Sequence, residues 1–158
     1  MRKTKMVALC VAGVVFCATG ADANKEFRAL TNAKAFQVTD SAPHAIPLTN
    51  DGSTSKTINL AATILSLSYN VECTADGPDG SYLAISILVD GLPAGPDSGD
   101  GSGFCSPAGP DSHTLFSVVR NAIVAPVASG KHTFQVIGTG VNTTSWQLRN
   151  MMLSITAY

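Results

Sequence analysis

Histidines at 44, 113 and 132 are the side chains of this sequence suited to general acid–base work near neutral pH. His44 falls in a proline-rich stretch, His113 opens a strand-like run, and His132 follows the Gly130-Lys131 turn. None has a nucleophile at a recognisable spacing: there is no Gly-x-Ser-x-Gly elbow, no His-Glu-x-x-His pair and no phosphate-binding loop. A surface or turn role is expected of each. A glycosidase needs two carboxylates flanking the scissile bond, and Glu72 with Asp90 supplies such a pair only if the fold brings them together. Asp97-Ser98-Gly99-Asp100-Gly101 offers the oxygen ligands that calcium takes, yet lacks the alternating acids and closing Glu of an EF-hand loop. The expectation is a solvated loop, with no metal, no cofactor and no catalytic residue.

Cysteine chemistry depends on the amino terminus. Arg2, Lys3 and Lys5 precede an apolar run from Met6 to Thr19, and Gly20-Ala21-Asp22-Ala23 follows. This is the layout of a secretory signal peptide over residues 1–23, with cleavage expected after Ala23. The run is shorter than the roughly 20 residues a membrane-spanning helix needs. Lipid attachment at Cys10 or Cys17 is disfavoured by Leu9 and Phe16, which stand where a small residue should precede the modified cysteine. A secreted or periplasmic, soluble mature chain follows, without membrane insertion after cleavage. Only Cys73 and Cys105 then remain, and in an oxidising compartment they are expected to form one disulfide.

Three of the ten Lys and Arg and one of the eleven Asp and Glu fall in the leader, leaving 7 against 10 and a net charge of −3. No basic cluster marks a nucleic-acid or anionic-membrane surface. The mature length suits one domain.

The elements that must position any site read as strands. Residues 24–56 form a polar arm with one short strand at 33–38 and a long loop over 40–55. Residues 57–158 form the core. From Leu65 to Cys73 apolar and polar residues alternate without error, which turns Cys73 inward and Glu72 outward. A second alternating run, 82–89, is apolar on both faces, predicts a central strand, and ends at the turn-forming pair Asp90-Gly91. Residues 92–103, rich in Pro, Gly and Ser, predict an irregular loop. Strands follow at 114–120, 132–137 and 146–157, the last with Met151, Leu153, Ile155 and Ala157 on one side. No helical periodicity spans three turns. Gly-Pro-Asp occurs at 77, 95 and 109 with unequal spacing, marking turns and not a repeat. The Asn142-Thr143-Thr144 sequon is read as a chance match. Short strands punctuated by Gly and Pro predict an all-β, two-sheet antiparallel β-sandwich, jelly-roll-like, with one disulfide.

The runs Ile87-Leu88-Val89-Asp90-Gly91, Phe104-Cys105, Gly130-Lys131-His132-Thr133-Phe134-Gln135-Val136 and Leu153-Ser154-Ile155-Thr156-Ala157-Tyr158 resemble small exported bacterial jelly-roll domains of the tumour-necrosis-factor and C1q kind. The resemblance covers residues 57–158 and implies a fold, with trimer formation or ligand binding at loop ends. It carries no catalytic residue to this chain.

The expected function is thus non-catalytic: an exported recognition or assembly module, binding glycans or envelope surfaces through its loops. A structural subunit of a pilus-like or trimeric surface assembly is the alternative, and a secreted hydrolase the third. Homo-oligomers, dimer or trimer, are compatible with either of the first two. The ligand surface is expected around Leu92, Asp97, Asp100 and Phe104, with Tyr82 and Trp146 beside it. Trp146 opens the last strand, where an indole serves as a sugar-stacking platform or, more commonly, as a core or rim residue.

Overall fold

The computed structural model describes residues 26–61, 64–95, 103–106, 116–124 and 126–158. The leader with its two cysteines, Asp97, Asp100 and His113 lie outside them. Among the described residues ten strands run in order: β1 Glu26–Asn32, β2 Phe36–Val38, β3 His44–Ala45, β4 Ser55–Leu60, β5 Leu65–Asp76, β6 Tyr82–Val89, β7 Leu92–Pro93, β8 Phe116–Val124, β9 Gly130–Val141 and β10 Ser145–Ala157. They form two five-stranded antiparallel sheets. The first has the order β1-β10-β5-β8 with β2 also on β10; the second has β3-β9-β6-β7 with β4 also on β9. From β4 to β6 and again from β7 to β10, successive strands pass from one sheet to the other, the jelly-roll-like arrangement expected of the sequence.

Alternation explains the core. Leu65, Leu67, Tyr69, Val71 and Cys73 of β5 are buried, as are Leu83, Ile85, Ile87 and Val89 of β6 from the facing sheet. Cys73 and Cys105 are joined, with Cα atoms 6.3 Å apart. Because Cys105 bridges Leu83 of the second sheet while Cys73 belongs to the first, the bond ties the two layers together. Such a disulfide is consistent with an oxidising, extracytoplasmic compartment. No helix among the described residues is long and apolar enough to cross a membrane.

Several sequence readings are corrected. The sandwich includes residues from Glu26 onward, because β1 pairs with β10 along its whole length, from Glu26 opposite Ala157 to Asn32 opposite Met151. On its inward side Glu26 and Leu30 are half-buried and Asn32 is buried, so its apolar alternation is faint in sequence. The strand expected at 33–38 shrinks to β2, and the loop over 40–55 contains β3. Residues 92–103 include β7, which Asp90 and Gly91 fold back onto β6: both have positive φ, 53° and 80°, as a two-residue type I′ hairpin requires. The run 82–89 is interior in its sheet, as its pattern predicts, with β9 on one side. On its other side, among the described residues, lie β7 and the Leu83–Cys105 bridge.

The main correction concerns β10. The register slips between Arg149 and Met152, so two residues there oppose one on β5, and Asn150 takes a positive φ of 51°. This β-bulge reverses the alternation. Counting back from Ile155 places Trp146 on the outer face, whereas the bulge returns Trp146 and Leu148 to the core, both 0 % exposed. The facing strand has made room: a Cβ on Gly138 would lie 2.8 Å from the indole Cη2, and one on Gly140 3.2 Å from Cδ1. Trp146 is a core residue, not a ligand platform.

Candidate functional site

The surface expected from sequence does not converge. Leu92 is 71 % exposed at the β6–β7 hairpin, opposite Val89. Tyr82, half-buried, lies at the other end of β6, about 23 Å away at the usual rise per strand residue. Phe104 belongs to the Tyr82 end, where its N–H donates to the Leu83 carbonyl (2.8 Å) and its ring lies 6.3 Å from that of Tyr69. Gly103 sits against Tyr82, whose Cβ is 2.8 Å from where a Gly103 Cβ would stand. Tyr82 and Phe104 are therefore neighbours, Leu92 is remote, and Trp146 is internal.

Glu72 and Asp90 are not a catalytic pair. Glu72 opposes Arg149 across the first sheet, whereas Asp90 serves the hairpin of the second. Among the described residues no three His, Cys, Asp or Glu side chains gather as metal ligands.

His44 and His132 have turn roles. His44 Nε2 bonds Asp40 Oδ1 at 2.7 Å near the surface. His132 has two acceptors, Asp90 Oδ2 at 2.7 Å from Nδ1 and the Ala128 carbonyl at 2.6 Å from Nε2, an arrangement both ring nitrogens fill only as imidazolium donors. The hydrogen bond to Asp90 raises the His132 pKa, burial opposing it. The Thr133 N–H and then His132 lower that of Asp90. Folded-state stabilisation by His132 is complete below its ordinary value of about 6.5 and is lost as pH rises through the raised value. That of Asp90 is present above about 4 and is lost as pH falls through the lowered one. The latch is strongest between about pH 4 and 6.5. Thermal midpoints of the wild type should fall by a few degrees relative to His132→Gln between mildly acidic and mildly alkaline buffer; parallel profiles would contradict the latch.

Two features that the sequence did not mark stand out on the outer face of the first sheet. Four of the five large hydrophobic residues exposed among the described ones, Phe27 (59 %), Ile64 (44 %), Ile123 (62 %) and Tyr158 (46 %), gather at one end. The register shows why: Phe27 opposes Thr156, Thr156 opposes Ser66, and Ser66 opposes Ile123, forming one row across four strands. Ile64 and Tyr158 lie one outward step further along β5 and β10, where the Tyr158 N–H donates to the Ile64 carbonyl. The next rows bring Ala29, Ser154, Ser68 and Asn121, then Thr31, Met152 and Asn70. None of these outward side chains is charged. At the far end, a cleft of about 330 Å³ opens beside the β10 bulge. Phe27 escaped notice because its strand read as an arm. Ile64, Ile123 and Tyr158 did so because each is a single apolar residue on a polar face, related to the others only through pairing.

Compared with known proteins, the chain matches no protein-family model and no curated protein.

Proposed function

We propose that this chain is an exported, non-catalytic assembly module that pairs with a second copy of itself through the outer face of its first sheet. The gathering of four large apolar side chains at one end of a sheet face, next to rows that carry no charge, carries this reading, since apolar clusters of that kind mark contact surfaces. The absence of charge at this end favours a second copy as the occupant. With acidic residues in excess, two copies repel through charged surfaces, whereas this face brings no like charges together.

The strand order suits an isologous contact. A two-fold axis running along the strands between β10 and β5 exchanges β10 with β5 and β1 with β8. It sets Phe27 of each copy over Ile123 of the other, and Tyr158 over Ile64. Sheets packed in this way stand about 10 Å apart. The resemblance to tumour-necrosis-factor- and C1q-like domains implies a three-fold ring as the other closed arrangement, and the native mass separates the two.

Sedimentation of the mature protein over a range of concentrations tests the reading. Twice the chain mass is expected. Ile123→Asp, a change at an exposed position that leaves the core untouched, should weaken association at least tenfold, which is about 1.4 kcal/mol. A wild type that sediments as a single chain throughout would overturn self-association, and a variant that associates unchanged would overturn this face.

A further inference from the structure

The cleft beside the β10 bulge is walled by Thr31, Asn32 and Ala33 at the end of β1, Asn50 from the β3–β4 loop, Asn70 of β5, and Asn150 to Met152 of β10. We infer that it is a binding site for a neutral, polyhydroxylated ligand of the size of one or two sugar rings. Pockets for small molecules begin at roughly 300 Å³, and this one lies at that lower limit.

Four asparagines meet at this place, and two of them are tied into the frame. Asn32, buried, donates from Nδ2 to the Pro47 carbonyl (3.1 Å), and its Oδ1 accepts the Lys34 N–H (3.0 Å). Asn50 Oδ1 accepts the Ala33 N–H at 3.0 Å, which fixes the amide and leaves its NH2 group able to donate outward. Asn70 spends at most one N–H on the Ser68 hydroxyl, at 3.4 Å, and keeps a carbonyl oxygen to accept. Asn150 stands exposed in the left-handed conformation that the bulge imposes. The cleft therefore presents amide donors and acceptors, rigidly held in part, next to the methionine pair Met151 and Met152.

That chemistry selects a class of ligand. No cleft residue carries a charge, so an ionic ligand finds no counter-ion and loses hydration on entry. Amides both donate and accept, which matches hydroxyl groups that do the same. Met152, partly exposed, offers a polarizable apolar surface for the C–H face of a ring. The site is separate from the apolar end: Phe27 and Thr31 lie four residues apart on β1, about 13 Å along the strand. Its occupancy does not rest on self-association.

Side-chain amide resonances of the 15N-labelled protein, titrated with the methyl glycosides of glucose, galactose, mannose and N-acetylglucosamine and with glucuronate, test this directly. At least one neutral glycoside should move the Asn50, Asn70 and Asn150 NH2 signals together in a saturable way, and glucuronate should bind at least tenfold more weakly. Asn70→Ala combined with Asn150→Gly, which keeps the backbone able to adopt the bulge, should weaken that binding at least tenfold while the backbone spectrum stays native. The Ile123→Asp variant, in which no second copy overlies the face, should retain this binding, so loss of self-association and loss of the ligand site are told apart. No saturable shift at these amides with any of the neutral glycosides would overturn the proposal, as would equal binding of glucuronate or undiminished binding by the folded double variant.

Discussion

Replacing Trp146 by alanine is expected to lower the free energy of unfolding by about 3–5 kcal/mol, the cost of a large cavity in a packed core. For a domain of this length one kcal/mol corresponds to roughly 3–4 °C, so the midpoint should fall by more than about 10 °C. The indole occupies a hollow made by Gly138 and Gly140 on the facing strand. Filling that hollow should also destabilise: Gly138→Ala brings a methyl carbon to 2.8 Å from the ring, and overpacking of this kind costs about 1–3 kcal/mol. Phe36, whose ring centroid is 5.6 Å from that of Trp146 at an interplanar angle of 65°, closes the other side. If Trp146 were instead an exposed sugar platform, its removal would change stability by less than about 0.5 kcal/mol. Urea unfolding of the two variants distinguishes these outcomes.

Removing the Cys73–Cys105 bond should have an effect of similar size. The loop it closes, with partners 32 positions apart, corresponds to roughly 3.5 kcal/mol of unfolded-state entropy, or about 12 °C in midpoint. Without it, the segment carrying Cys105 is held to β6 by short backbone bonds, the Leu83 N–H to the Cys105 carbonyl (2.7 Å) and the Phe104 N–H to the Leu83 carbonyl (2.8 Å). Thermal unfolding of Cys73→Ala/Cys105→Ala beside the wild type, in the presence and absence of a reductant, measures the contribution. The wild type under reductant should approach the variant, and the variant should ignore the reductant. Equal midpoints in all four samples would show that the bond does not constrain the fold.

What was legible in the sequence was the alternation. β5, β6 and the second half of β10 were readable because each keeps period two with strong apolar residues on the inward side, and Cys73 fell on that side with them. Asp90-Gly91 was legible as a turn because its two residues tolerate positive φ. The failures came from events that local pattern does not record. A single extra residue at Asn150 reversed the parity of everything before it and hid Trp146 in the core. β1 owes its existence to pairing with β10, about 125 residues later in the chain. The apolar end of the first sheet is assembled from four separate segments, each contributing one side chain, so only the register could reveal it. The asparagine cleft is likewise a product of the bulge and the β3–β4 loop meeting at one place.

The central claim, that two copies meet through this face about a two-fold axis along the strands, is tested most directly by the charge pair Phe27→Lys/Ile123→Asp. Within one chain these positions lie three strand spacings or about 14 Å apart, farther than the roughly 8 Å over which exposed charges act at physiological salt. Across the proposed axis each lies over the other, and a lysine facing an aspartate spans sheets about 10 Å apart. Sedimentation should therefore show Phe27→Lys and Ile123→Asp alone associating at least tenfold more weakly than the wild type, and the double variant regaining association at low salt. A double variant that associates no better than the single ones would contradict the arrangement.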